Sequence, residues 1–246
     1  MRFMRKKAET PLRIGTVSNY RHLWMLVFWV IYLVLFAVVE HAVQSDYYVM
    51  HCALDDVIPF CEWFIFPYCL WHPLLFAMTL YLAFWDAENF KPYMLFIALG
   101  FIPVILFDWA FPNGQDLRPA VFAHQNIATW LVGRIYAADT NTNVFPSMHV
   151  IGSAALVAAA LHTPSLRKRR LHLVAIPVGV LICISTVFVK QHSCLDLIGA
   201  IPYSALLWWL IYGVIYKKRK KEPPGKTGGS SYAGIALCSS RDASSA

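Results

Sequence analysis

Charge is what this sequence has least of: Asp, Glu, Lys and Arg make up 14% of its 246 residues, while 58% are hydrophobic. A water-soluble domain carries about a quarter charged residues, so a soluble globule is excluded and the bilayer is the expected solvent. The six cysteines (Cys52, Cys61, Cys69, Cys183, Cys194 and Cys238) contain no CxxC and no metal-ligand spacing. Cys69 and Cys183 fall inside apolar runs, where a thiol packs as a small hydrophobe. Cys52 and Cys61 lie in or beside one short segment, so a disulfide between them is an open expectation. No GxxxxGK phosphate loop, dinucleotide fingerprint or internal repeat is present, which removes the nucleotide-binding and solenoid classes.

Apolar runs are abundant. Windows of about 20 residues, the length that crosses a bilayer, fall at 23–43, 62–85, 93–111, 148–162, 171–189 and 195–216. They predict an all-α polytopic membrane protein, a six-helix transmembrane bundle. Residues 1–22 then form a basic cytoplasmic N-terminus and residues 217–246 a basic, Pro/Gly/Ser-containing tail expected to be disordered near anionic headgroups. Arg2, Arg5, Lys6 and Lys7 resemble the start of a signal peptide, but the following run is too long for one and lacks a small-residue cleavage site. A retained anchor is expected instead.

The net charge of +7 does not point to nucleic acid, because the basic residues cluster beside apolar runs as topology signals do. With the N-terminus inside, six spans place 18 of the 21 basic residues on the cytoplasmic side, including Lys91, Arg167 to Arg170 and the KKRKK that opens the tail. Both termini are then cytoplasmic. Only Arg118, Arg134 and Lys190 fall outside, which makes each a candidate for chemistry.

Three external segments hold the unusual polar residues: 113–119 with Arg118, 145–149 with Ser147 and His149, and 190–196 with Lys190, His192 and Asp196. All three lie at ends of spans, so one bundle face can gather them. His192 and Asp196 are spaced i, i+4, which puts both on one helical face. A carboxylate accepting one imidazole N–H fixes the tautomer and leaves the other nitrogen as nucleophile or base. Ser147 is suited to cap the helix that follows it, and a helix N-terminus there binds an anion.

Each residue also has a plainer reading. A single interfacial histidine is usually an amphipathic side chain with a wet edge, the reading given to His22, His41, His72, His124, His162 and His172. Arg118 suits snorkelling, and Asp196 suits a helix cap. Their joint occurrence on one side favours a site, because ionisable groups at membrane depth are costly. His51, Asp55, Asp56 and Glu62 have the donors for a divalent cation, but solvated loop charge is the favoured reading and no metal or other cofactor is expected.

In order and spacing the three segments resemble the type-2 phosphatidic acid phosphatase and haloperoxidase superfamily, whose motifs are K-x6-R-P, P-S-G-H and S-R-x5-H-x3-D. Arg118-Pro119 matches the first, Pro146-Ser147-Met148-His149 the second, and Ser185-Thr186 with His192 and Asp196 the third. The resemblance covers roughly residues 90–216. It implies that His192 attacks phosphorus, Asp196 orients it, His149 protonates the departing alkoxide, and Arg118 with Ser147 holds phosphate oxygens. No metal is implied. The family lysine falls on Phe111, the glycine on Met148 and the second arginine on Thr186, so two phosphate cations are missing, and Lys190 is the nearest replacement in sequence. This relaxed pattern is similar to the branch related to inositol phosphorylceramide synthases, which transfers headgroups between lipids.

The expectation is therefore a metal-independent lipid phosphate phosphatase working through a phosphohistidine at the extracytoplasmic face, with a lipid phosphate or phospholipid as substrate. Headgroup transfer to an alcohol is the alternative. A catalytically silent lipid binder is the reading from another class, and a transporter is disfavoured because paired broken helices and repeat symmetry are absent.

Overall fold

The structure is a computed structural model that describes residues 20–42 and 46–219. The basic stretch before Tyr20, Cys238 and the tail beyond Arg219 lie outside the described residues. A 3-10 turn (Tyr20–Leu26) leads into α1 (Val27–His41), and a loop carrying β1 (Tyr48–Val49) and the short α2 (Ala53–Val57) follows. Next come α3 (Ile65–Cys69), α4 (Trp71–Trp85), α5 (Ala87–Ala110), β2 (Asn113–Gly114) and α6 (Ile127–Ala138). The chain closes with α7 (Met148–His162), α8 (Pro164–Lys168), α9 (His172–Phe188), α10 (Cys194–Trp208), a π-helical stretch (Trp209–Ile215) and α11 (Tyr216–Arg219).

Four helical stretches are long and apolar enough to cross a membrane: Tyr20–His41, Glu62–Trp85, Ala87–Ala110 and Cys194–Ile215. They suggest a membrane protein, and apolar side chains such as Val34, Leu80, Val180 and Ile201 remain exposed on the bundle surface. The expected fourth and fifth spans are helical but shorter, at 15 and 17 residues. At 1.5 Å per residue they reach about 22 and 26 Å, less than the roughly 30 Å of hydrocarbon a perpendicular crossing spans. Pro146-Ser147 before α7 and Thr163-Pro164 after it set that length locally. The third run extends back to Ala87, with Asp86 accepting the Asn89 amide as N-cap. A further helix, α6, lies within the loop between the third and fourth expected spans.

Helix α7 is the centre of the bundle, packing on α4, α5, α9 and α10. Its sequence IGSAALVAAA presents small side chains that let neighbours approach closely. A Cβ at Gly152 would stand 2.7 Å from Trp71 Nε1, and one at Gly100 of α5 would stand 2.6 Å from Ile151. Both contacts require glycine.

At one end of the bundle, His22 Nε2 meets the Ala83 carbonyl at 2.8 Å and Tyr81 meets Ser165 at 2.9 Å. At the other end β1 pairs in parallel with β2, and Gly114 bridges to Thr142. These short pairings tie the 46–50, 112–115 and 140–143 loops into one layer over the ends of α7, α9 and α10.

Candidate active site

The loop that carries His192 is shaped by two local signals. At the end of α9, Lys190 adopts φ 52°, and the Gln191 and His192 amides both return to the Thr186 carbonyl at 2.9 and 3.2 Å, closing the helix C-terminus. Ser193 then caps α10 in a reciprocal capping box with Asp196, whose Oδ2 accepts the Ser193 amide at 2.9 Å. The same Oδ2 lies 3.1 Å from His192 Nδ1. One carboxylate oxygen thus both caps α10 and contacts the His192 ring.

With Nδ1–H donated to Asp196, His192 keeps a lone pair on Nε2. That atom faces His149 Nδ1 at 3.3 Å, a contact that requires the proton to sit on His149. His149 is packed against Tyr68 and Trp71, with ring centroids 4.6 and 4.3 Å apart, and its Nε2 is buried with no partner among the described residues. Asp196, His192 and His149 thus form a continuous chain. Both histidines line a cavity of about 310 Å³ whose other polar walls include Glu40, Asp139, Asn143 and Gln191. A larger groove of about 500 Å³ between α7, α9 and α10 is almost wholly apolar and lies away from these groups.

Ser147 occupies the N-cap position of α7 but its hydroxyl makes no capping bond. It is fully buried, its amide donates to the Asp196 carbonyl at 3.1 Å, and its Oγ has no partner among the described residues. The expected cap is corrected: helix α7 begins without it, leaving that hydroxyl uncommitted. Asn113 organises the same turn, its Oδ1 accepting the Val144 and Phe145 amides at 2.9 and 2.8 Å.

The two cations expected on phosphate are both hydrogen-bonded to groups of the chain itself. Arg118 donates to the Asp139 carbonyl at 3.1 Å, to the Thr140 carbonyl and to Gln191 Oε1, and stacks on the Tyr136 ring at 4.5 Å. It grips the end of α6 from behind the cavity and does not line it. Lys190 is buried and its ammonium donates to the Asp55 and Ile58 carbonyls at 2.8 and 2.6 Å. A charge buried this deeply satisfies itself on the nearest acceptors, here the two carbonyls of the α2 segment.

The acidic loop group does not converge on one cation. Asp55 accepts from the Ser193 hydroxyl, the Cys194 amide at 2.8 Å and the Cys52 amide at 2.9 Å. Burial pushes its carboxyl up, but these donors outweigh it and hold the pKa below its ordinary value. His51 pairs with Asp56 at 2.9 Å, and Glu62 with Asn126 and His124 at 3.1 and 3.3 Å. The Cys52–Cys61 pairing, left open by the sequence, is not formed: both are free thiols. Asp55 draws Cys52 toward Cys194, while the Cys61 amide is held by the Phe188 carbonyl at 2.9 Å.

Two site residues escaped the sequence reading. Glu40, the one acidic residue of the first apolar run, is buried and accepts the Thr140 amide at 2.6 Å and the Asn143 side chain at 3.2 Å. An acid at that depth was the available signal. Asp139 follows α6, and burial, then the Glu40 charge, raise its pKa from the ordinary 3.8 to about 6, against the pull of Arg118 and His192.

Neither the comparison with curated proteins nor that with solved structures returned a match. The comparison with protein families matches residues 93–220 to the PAP2 superfamily, a region that opens within α5 and takes in Arg118, Ser147, His149, His192 and Asp196. With just over half of its length so matched, the chain belongs to the PAP2 superfamily.

Proposed function

We propose that this chain transfers a phosphoryl group from a lipid phosphate ester through a phosphohistidine on His192, without a metal. The observation that carries this reading is the Asp196–His192–His149 chain opening on a cavity. PAP2 membership supports phosphatase or phosphotransferase chemistry in general.

In the proposed first step the His192 Nε2 lone pair attacks phosphorus and the bond to the lipid oxygen breaks. His149 enters this step as the imidazolium, and its Nδ1 proton passes to the departing alkoxide, leaving a neutral ring. In the second step water attacks the phosphohistidine, gives its proton to His149 and displaces the imidazole; an alcohol in place of water makes the enzyme a headgroup transferase, as in the inositol phosphorylceramide synthase branch. Asp196 holds His192 in the reactive tautomer and offsets the imidazole charge that develops. The Ser147 hydroxyl and the first-turn amides of α7 supply donors for equatorial oxygens. A phosphorus with its leaving oxygen does not fit between nitrogens 3.3 Å apart, so substrate entry separates the two rings. Arg118 and Lys190 act here as positioning residues, the first through Gln191 and the end of α6, the second through the α2 segment.

In the proposed topology the site is extracytoplasmic in a six-span cell-membrane protein with both termini cytoplasmic, consistent with the basic-residue count. The test is turnover of lipid phosphate mono- and diesters in mixed micelles with chelator present, beside His192→Ala. Vanadate-sensitive, chelator-insensitive turnover lost in the variant is expected. Turnover that survives His192→Ala sinks the reading.

A further inference from the structure

The cavity beside the two histidines has a chemistry that the phosphoryl step does not use. Tyr32, Phe36 and Glu40 are spaced i, i+4, i+8, so one stripe of α1 faces it, and Asp139 closes the wall from the end of α6. Two carboxylates therefore stand in one pocket with the nucleophile and the rings of Tyr32, Phe36, Tyr68 and Trp71. Among the described residues no lysine or arginine lines it. Arg118 does not line it, but bonds the carbonyls of the lining residues Asp139 and Thr140 and the Gln191 Oε1, so its charge is spent on the wall and not presented to the cavity.

A phosphate monoester is a poor fit to this charge pattern. It brings close to two negative charges at neutral pH, with no cation in the wall to meet them and with Glu40 and Asp139 to oppose them. A phosphodiester brings one negative charge, which neutral donors such as the backbone amides of Met148 and His149, both lining the cavity, suit. An ammonium group on the far side of that phosphate would meet the acids and the aromatic faces together, the combination by which proteins hold alkylammonium ions. The unpartnered, buried Nε2 of His149 in the same wall marks a place where a ligand group is wanting.

Resting on the phosphohistidine reading, we infer that the substrate is a zwitterionic phospholipid, a phosphodiester whose ammonium headgroup sits between Tyr32, Phe36, Glu40 and Asp139. His192 attacks phosphorus, the P–O bond to the diacylglycerol oxygen breaks, and that oxygen takes the His149 proton. The ammonium-bearing phosphoryl group stays on His192 until water or an alcohol accepts it and returns a proton to His149. Diacylglycerol is released first, and a phosphorylated amino alcohol or a new zwitterionic lipid second.

The experiment compares diacylglycerol release by the full-length protein from phosphatidylcholine, phosphatidylethanolamine, phosphatidylglycerol and phosphatidate in matched micelles, for wild type, Glu40→Gln and His192→Ala. The ammonium lipids should exceed phosphatidylglycerol in kcat/KM by about tenfold, the scale of a desolvated cation–π and carboxylate contact. Glu40→Gln should shrink that ratio to within about threefold, because the amide keeps shape but not charge. Preference for phosphatidate or phosphatidylglycerol, with His192→Ala inactive, would overturn the headgroup assignment and leave the phosphohistidine reading standing. Absence of any His192-dependent turnover would overturn both. The wild-type lipid preference decides the matter even if Glu40→Gln fails to fold.

Discussion

Asp196 serves two donors with a single oxygen, and that detail separates two substitutions usually treated as equivalent. Oδ2 accepts both the Ser193 amide and His192 Nδ1, while Oδ1 is buried with no partner among the described residues. In Asp196→Asn the amide oxygen can take the Oδ2 place and keep both bonds, putting its NH2 where Oδ1 was. The tautomer of His192 survives and only the charge is lost. A hydrogen bond to a charged group contributes about 1.5–3 kcal/mol against about 0.5–1.5 for a neutral one, so the difference is roughly 1–2 kcal/mol. At 1.36 kcal/mol per decade this is a fall in kcat of about 5- to 30-fold. Asp196→Ala removes orientation, charge and cap together; kcat should fall by about 10³, within the range for loss of acid–base positioning. Its missing capping box should also cost about 1 kcal/mol of stability. Initial rates of lipid turnover, read beside thermal unfolding in the same detergent, test both halves. Equal and severe losses in the two variants would refute the shared-oxygen argument, and Asp196→Ala within tenfold of wild type would remove Asp196 from the mechanism.

Three further outcomes follow from placements already described. Lys190→Met leaves the Asp55 and Ile58 carbonyls unpaired, so Tm should fall with a loss of about 2–4 kcal/mol while KM stays near wild type; a raised KM with unchanged Tm would return Lys190 to the phosphate. The raised pKa of Asp139 means that the folded chain holds its proton more tightly than the unfolded one. Its contribution to stability is complete below pH 3.8 and is lost as the pH rises through about 6. Asp139→Asn should therefore raise Tm at pH 8 and change it little at pH 4, and a larger gain at pH 4 would contradict the burial argument. Gly152→Ala drives a methyl group toward Trp71 Nε1, which should destabilise the bundle by about 1–3 kcal/mol, measured by thermal unfolding; an unchanged Tm would show that Trp71 can give way.

Local features were open to inspection in the one-dimensional chain because they obey local rules. Apolar run length marked the four stretches long enough to cross a membrane, S-x-x-D at 193–196 encoded the capping box, and the i, i+4 spacing brought His192 to Asp196. The motif order also singled out His149 and Ser147. What no spacing rule reaches is which distant partner satisfies a buried polar group. Lys190 is held 135 residues away by Asp55, Glu40 reaches Thr140 across 100 residues, and Arg118 is turned from the cavity by carbonyls 18 to 22 residues on. Those choices follow from how closely the small-residue faces of α7 admit α4, α5 and α9, and from the requirement that each charge taken out of water find acceptors where packing leaves it. The residue types and the His192–Asp196 contact were thus determined by sequence. The shape and charge of the cavity around them, and the distant partners that Arg118 and Lys190 take, were decided only by tertiary packing.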